Sequence, residues 1–197
     1  LNDKTLVDRF QESIVNDTIA PLVEQLLTET GHKHNQIVAL IAAGNTTMLH
    51  LLDAVDPSPL GIAPFTPVFL THNVKALSQL DYRSAKKHTG KKRNPRLHML
   101  PSAAAYIGAD LTAGIVASNL RFDEGTALLV DVGTNGEIIL KHEGQLFGCA
   151  TAAGPAFEGS KLTDGIRAGQ GAISHINIAD DPPAVSFEVI GEQGEFN

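Results

Sequence analysis

The sequence lacks features that identify disulfide-bonded, iron–sulfur, membrane and secreted proteins. It has one cysteine, Cys149, in 197 residues, so this chain can build neither an internal disulfide nor a four-cysteine iron–sulfur site. No apolar run approaches the roughly 20 residues needed to cross a bilayer. The first ten residues lack the basic start and apolar centre of a secretory signal. We therefore expect no membrane partner and a cytoplasmic location.

Positive charge is also scarce. The chain has 15 basic and 22 acidic residues, which gives a formal net charge of -7. Binding to nucleic acid requires a basic face that neutralises phosphates, so we expect no nucleic-acid partner. The main basic stretch, Lys86 to Arg96, has the composition of a solvated loop. The spacing of the histidines, a His32-Lys33-His34 pair and others that are dispersed, indicates solvated surface positions rather than a metal site.

Apolar residues make up 43% of the chain, which is enough for a buried core. From Asp3 to about Thr30 they recur at intervals of three to five residues, as on one face of a helix. Pro21 should kink this helix or begin a second one, and Gly31 is the predicted C-cap. Ile37 to Ala43 is a continuous apolar run that predicts a strand buried on both faces.

Turn signals and apolar segments predict the other elements. Asn45 or Thr46 should cap a helix that begins directly after the first strand. Four prolines between Asp56 and Pro67 predict a loop. Small residues from Ser102 to Asn119 predict a closely packed helix. Further strands are predicted at Leu97–Leu100, Leu146–Thr151, Ala172–Ile178 and Ala184–Ile190, and a helix is predicted to begin at Gly154-Pro155.

The most informative segment is LLVDVGTNGEII, from Leu128 to Ile139. A buried strand, Thr126 to Val132, carries Asp131 near its end, and a Gly-Thr-Asn-Gly turn leads into a second strand, Glu137 to Lys141. Glycines let the backbone approach a phosphate, and a carboxylate at a strand end can hold a hydrated Mg²⁺. Asn-Gly is also an ordinary hairpin turn, so this segment alone favours neither a phosphate site nor a structural turn.

The order of the motifs resembles the actin, Hsp70 and sugar-kinase superfamily. LPSAAAYIG, from Leu100 to Gly108, precedes the hairpin by one helix, as the interlobe helix of that superfamily precedes its second phosphate loop. More narrowly, five segments between Ala43 and Gly159 closely resemble the carboxy-terminal ATPase domain of reductive activators of corrinoid proteins. They are AGNTTMLHLL, DPSPLGIAPFTPVF, LPSAAAYIGADLTAGI, LLVDVGTNGEI and ATAAGPAFEG.

The resemblance implies a nucleotide site and assigns residues to it. Asp131 would be a catalytic carboxylate that binds Mg²⁺ through water, and Glu137 is a weaker acid candidate. The implied nucleotide-contacting residues are Gly133, Thr134, Asn135 and Gly136 in the second phosphate loop, Gly154, Pro155 and Glu158 in the AGPAFEG segment, and Gly44, Asn45 and Thr46 after the first strand. The structural alternatives are a packing turn for the second group and a plain helix cap for the third.

The resemblance also implies a function. ATP binding or hydrolysis would drive electron transfer from a [2Fe-2S] domain outside this chain to an inactive cobalt(II) corrinoid protein and restore cobalt(I). The partners implied are the corrinoid protein and an electron donor that acts through an upstream ferredoxin domain. A second copy of the protein is a further candidate partner, which would give a homodimer.

The predicted fold is α/β, with mixed sheets flanked by helices in ribonuclease H-like lobes. Residues 1–122 would form the remainder of the first ATPase lobe and the interlobe helix, and residues 123–197 the start of the second lobe. A first phosphate loop and an adenosine segment are not recognisable, so we expect an incomplete domain with little activity alone. The alternatives are a small-molecule kinase of the same fold, for which no substrate base is evident, and a non-catalytic partner-binding module.

Overall fold

The computed structural model describes residues 5–80, 95–152, 154, 163, 165–180 and 183–191. The chain divides into two units, Leu1–Leu129 with Ile139–Cys149, and Val130–Ile138 with Ala150–Asn197. Strands among the described residues form sheets of three, three and two strands. The expected α/β fold with mixed sheets is confirmed.

The chain begins with consecutive helical segments. They are α1 (Leu6–Ser13), a π-helical stretch (Ile14–Ile19) and α2 (Ala20–Thr30). Pro21 lies in the first turn of α2, where its missing N–H costs little, so the prediction that it begins a second helix is confirmed. Gly31 ends α2 with a φ of 67°, the left-handed conformation expected of a glycine C-cap.

The first sheet is mixed and lies in the first unit. Its strands are β1 (Ala39–Ala42), β2 (Asn73–Ala76) and β3 (Arg96–Met99), in the order β1-β3-β2. β1 runs parallel to β3, and β2 runs antiparallel to it. The strand predicted at Leu97–Leu100 is therefore confirmed within one residue.

One face of this sheet carries the main core. Leu97 and Met99 of β3 are buried in it together with Val15, Ala20, Leu49, Leu52, Leu77, Leu80 and Ala109. Burial of one such leucine stabilises the fold by about 1.5–3 kcal/mol. The opposite face, which we call the open face, is not covered by the described part of the chain at Ile41, which is 71% exposed. The prediction that the first strand is buried on both faces is wrong, because β1 is an edge strand with one open face.

Two helices in this unit pack near the sheet. α3 (Thr46–Leu52) follows β1, and Met48 N donates to Asn45 Oδ1 at 2.8 Å, which confirms the predicted cap. In the described residues after α3 the next α-helix is α4 (Ala109–Ala117), so the prediction of a helix from Ser102 is wrong in its first half. Before Gly108, the N–H groups of two alanines, Ala103 and Ala104, donate to the carbonyl of Ile107 and close a turn instead.

The predicted loops are only partly described. Asp56 to Pro67 is a loop with one 3₁₀ helix, Ser58–Gly61, as its regular structure. Of the predicted loop Lys86 to Arg96, the residues up to 94 lie outside the described part of the chain, and Arg96 begins β3. The helix predicted from Gly154-Pro155 lies outside it as well, except for Gly154.

The second sheet contains the predicted hairpin. Its strands are β4 (Ala127–Val132), β5 (Asn135–His142) and β6 (Gln145–Ala152), in that order. A second core cluster in the first unit includes Ile139 of β5 with Ile107, Leu111 and Leu120. The hairpin and the strand at β6 are confirmed. The expectation that the first hairpin strand is buried is wrong, since most residues of β4 are exposed.

The third sheet lies in the second unit and has two antiparallel strands, β7 (Ile173–Asp180) and β8 (Pro183–Val189). Both match strands predicted from the sequence.

Candidate functional site

The β4–β5 hairpin holds half of the predicted site residues. Asp131 is the penultimate residue of β4 and is exposed. The connection is shorter than predicted, because only Gly133 and Thr134 lie between the strands and Asn135 already begins β5. Gly133 N donates to Asn135 O at 3.0 Å, which fixes this tight turn.

Gly154 is brought to the same turn. Its N–H donates to Thr134 O at 2.7 Å, although the two residues are twenty positions apart. Gly154 has a φ of 84°, a conformation that favours glycine, and a Cβ there would meet no atom within 4 Å. The structure thus joins two of the predicted nucleotide-contacting segments. Pro155 and Glu158 lie outside the described residues.

Glu137 and Gly136 lie in β5, just beyond the turn. Gly136 is buried and Glu137 is half-buried, whereas Thr134 and Asn135 are exposed. Because side chains alternate along a strand, Asn135 and Glu137 share one face of β5 and Gly136 lies on the other. Thr134 and Asn135 of the turn are exposed beside the carboxylate of Asp131, and a carboxylate at such a turn fits hydrated Mg²⁺ next to a phosphate. The N–H groups of Gly133 and Gly154 already donate within the protein, so they shape the turn and leave phosphate contacts to its other backbone groups.

The third group of predicted residues, Gly44, Asn45 and Thr46, lies at the β1–α3 junction in the first unit. Asn45 has extended backbone dihedral angles and caps α3 with its side chain. Thr46 is buried, and its Oγ1 donates to Ala104 O at 2.8 Å. The helix-cap role of Asn45 is therefore confirmed, and contacts of Gly44, Asn45 and Thr46 with a nucleotide stay predictions.

Gly108 also belongs to this junction, and its role was not predicted from the sequence. Gly44 O accepts hydrogen bonds from Ala109 N at 2.9 Å and Asp110 N at 3.4 Å, so the first turn of α4 is tied to the β1–α3 loop. A Cβ on Gly108 would lie 2.9 Å from Gly44 O and 2.5 Å from Asn45 Cα. A glycine within an otherwise helical pattern was the available signal, since it indicates close backbone approach.

Comparison with known families gives this arrangement a context. A sequence profile of the RACo middle region matches residues 2–123, and one of the C-terminal domain of RACo, the ASKHA domain, matches residues 125–195. The chain belongs to the RACo family. The resemblance to reductive activators of corrinoid proteins, noted from the motifs, is thereby confirmed. Within RACo the hairpin turn lies in the ASKHA region, and the β1–α3 junction and Gly108 lie in the middle region.

Individual relatives agree with this assignment. The chain is 31% identical over 186 residues to the corrinoid activation enzyme RamQ of Eubacterium limosum, across 93% of this chain and 29% of RamQ. It is 25% identical over 169 residues to the [Co(II) methylated amine-specific corrinoid protein] reductase of Methanosarcina barkeri, across 84% of this chain and 31% of that protein.

A solved structure also matches the fold. The reductive activator for corrinoid, iron-sulfur protein superposes with a TM-score of 0.75 and 32% identity, across 94% of this chain and 28% of that structure. The chain thus spans less than a third of the length of each of these three relatives. In the described part of this RACo chain, no helix is long and apolar enough to cross a bilayer.

Proposed function

We propose that this chain is the ATPase segment of a protein that reductively activates corrinoid proteins. ATP binding or hydrolysis at the hairpin turn would be coupled to reduction of an inactive cobalt(II) corrinoid to cobalt(I). The electrons would come from a [2Fe-2S] domain outside this chain, supplied by a donor through a ferredoxin domain. The observation that carries the proposal is the tight turn after Asp131, held to Gly154 within a region that matches the RACo ASKHA domain.

Each residue of the turn has its own proposed role in nucleotide binding. Asp131 would hold Mg²⁺ through water, and the backbone of Gly133 to Gly136 and of Gly154 would approach the phosphates. Magnesium supplies charge neutralisation of the phosphate oxygens when it is bound. Glu137 would act as a weaker acid or orient water. The proposed nucleotide contacts also include Pro155, Glu158 and the Gly44–Thr46 loop.

Nucleotide binding would act on the corrinoid protein by moving the two ATPase lobes. Residues 1–122 are proposed as the remainder of the first ATPase lobe and residues 123–197 as the start of the second. Closure of the lobes on Mg–ATP would favour the form that docks the corrinoid protein, since a ligand shifts a conformational equilibrium by its differential affinity for the two states. We also propose that the protein is cytoplasmic and that it forms a homodimer.

The test is anaerobic reduction of a cobalt(II) corrinoid protein by the full-length protein that contains this chain. Cobalt(I) is followed by its absorbance, with and without ATP, for the wild type, Asp131→Asn and Glu143→Gln. The last variant is a matched control, because Glu143 is 85% exposed and lies at the β5–β6 turn. We expect ATP-dependent reduction that falls at least about tenfold in Asp131→Asn only. Equal reduction with and without ATP would refute the proposal.

A further inference from the structure

The open face of the first sheet carries two histidines that the proposed nucleotide site does not use. His98 lies on β3, and its registered neighbours are Ile41 on β1 and Val74 on β2. His72 lies two residues before Val74, so it is diagonal to His98 on the same face. This arrangement brings the two imidazoles together from positions 26 residues apart.

The ring nitrogens of the pair face each other. His72 Nε2 and His98 Nδ1 are 3.2 Å apart, and the ring planes differ by 16°. A neutral imidazole has one N–H donor and one nitrogen lone pair, so one ring donates to the lone pair of the other. The pair therefore presents two nitrogen atoms at the spacing of neighbouring ligands in a metal site.

We infer that His72 and His98 bind a borderline divalent transition cation, of the class of Zn²⁺, Ni²⁺ and Cu²⁺. Histidine nitrogens bind such cations at about 2.0–2.1 Å, and nitrogens 3.2 Å apart then subtend roughly 100° at the metal, near a tetrahedral angle. His72 is exposed, so its ring can turn toward a shared cation without moving the strand. The ring that donates moves its proton to its other nitrogen, so the neutral pair binds the cation without releasing a proton.

The site has two protein ligands. Among the described residues, no third histidine, cysteine or carboxylate completes a cluster around it. Water would fill the other positions, and Cu²⁺ would bind more tightly than Ni²⁺ or Zn²⁺, as usual for nitrogen ligands. Arg96 lies two residues before His98 on the same face of β3, and its positive charge lowers the affinity for any cation.

The test is calorimetric titration of Cu²⁺ and Zn²⁺ into the full-length protein and its variants near neutral pH. His72→Gln and His98→Gln should each weaken the same single site at least about tenfold. The double variant should bind at least as weakly as either single variant, because the first substitution removes the chelate and the second removes the remaining imidazole ligand. His175→Gln is the control, since His175 is an exposed histidine on β7, and it should stay within about twofold of the wild type.

Two outcomes would overturn the inference. One is a cation affinity that neither single variant changes, and the other is an equal loss in the His175→Gln control. Urea unfolding of each metal-free variant tests whether misfolding causes a loss of cation binding. If the urea unfolding curves of the variants match the wild type and cation binding is lost, the result supports a site made by the side chains of His72 and His98.

Discussion

Gly108 and Asn45 approach so closely that a Cβ on Gly108 would lie 2.5 Å from Asn45 Cα. We predict that Gly108→Ala destabilises the fold by about 1–3 kcal/mol, because the backbone of the β1–α3 loop must shift to make room. Urea unfolding measures the change. Gly114→Ala is the control, since its Cβ would meet Leu129 at an ordinary 3.5 Å and α4 would gain helix propensity. Equal stability of Gly108→Ala and the wild type would contradict the close approach.

His50 joins α3 to the loop before β2. It is fully buried, its Nδ1 lies 2.7 Å from Thr46 O, and its Nε2 accepts from Val68 N at 3.1 Å. The ring is therefore neutral, with its proton on Nδ1. We predict that His50→Leu costs about 1–3 kcal/mol of unfolding free energy, because the Val68 N–H loses its acceptor. His175→Leu, at an exposed position, should change stability by less than about 0.5 kcal/mol.

Asp53 is a buried carboxylate with two side-chain partners. Its Oδ1 pairs with Lys75 Nζ at 2.5 Å, and its Oδ2 accepts from Asn73 Nδ2 at 2.7 Å. We predict that Lys75→Met destabilises the protein by about 1–3 kcal/mol, less than for a fully buried pair because Lys75 is 31% exposed. Asp53→Asn in the Lys75→Met background should recover part of this loss. A double-mutant cycle with no coupling between the two positions would count against the pair.

Asp56 lies two residues before the 3₁₀ helix Ser58–Gly61, and its pKa is lowered. The Ser58 hydroxyl donates to its Oδ1 at 2.6 Å and Ser58 N donates at 2.9 Å, and these two bonds lower the pKa of the carboxyl. We predict that Ser58→Ala raises the Asp56 pKa partway back, because the backbone bond remains.

The sign of the pH effect follows from the lowered pKa. The ionised carboxylate stabilises the fold at pH values above its unfolded pKa, and this contribution is lost as the pH falls through the folded pKa. The stability difference between the wild type and Ser58→Ala should therefore shrink on acidification. NMR titration of the Asp56 carboxyl carbon measures the pKa, and an unchanged value in Ser58→Ala would contradict the assigned cause.

Local signals in the sequence predicted the elements that depend on neighbouring residues. The Asn45 cap, the Gly31 C-cap and the β4–β5 hairpin each follow from turn or capping chemistry within a few residues. The extent of burial was not predictable in this way, because it depends on which strands flank an apolar run. β1 and β4 are both apolar in sequence, and both have exposed residues in the structure.

Contacts between distant segments were the main features that the sequence did not reveal. The helix predicted from Ser102 begins only after Gly108, where the chain is tied to Gly44. Gly154 was predicted for the site from a family motif, but its bond to Thr134 required the fold. The pair of His72 and His98 likewise depends on strand register. The roles of Asp131 and Glu137 remain predictions from the resemblance.

The most direct test of the ATPase assignment is Mg–ATP binding by the full-length protein, measured by calorimetry beside Asp131→Ala and Glu143→Gln. We expect Mg–ATP to bind to the wild type and to Glu143→Gln with affinities within about twofold of each other, and to bind to Asp131→Ala at least about tenfold more weakly. Equal affinity in all three proteins would remove Asp131 from the site, and absence of binding to the wild type would contradict the nucleotide site itself.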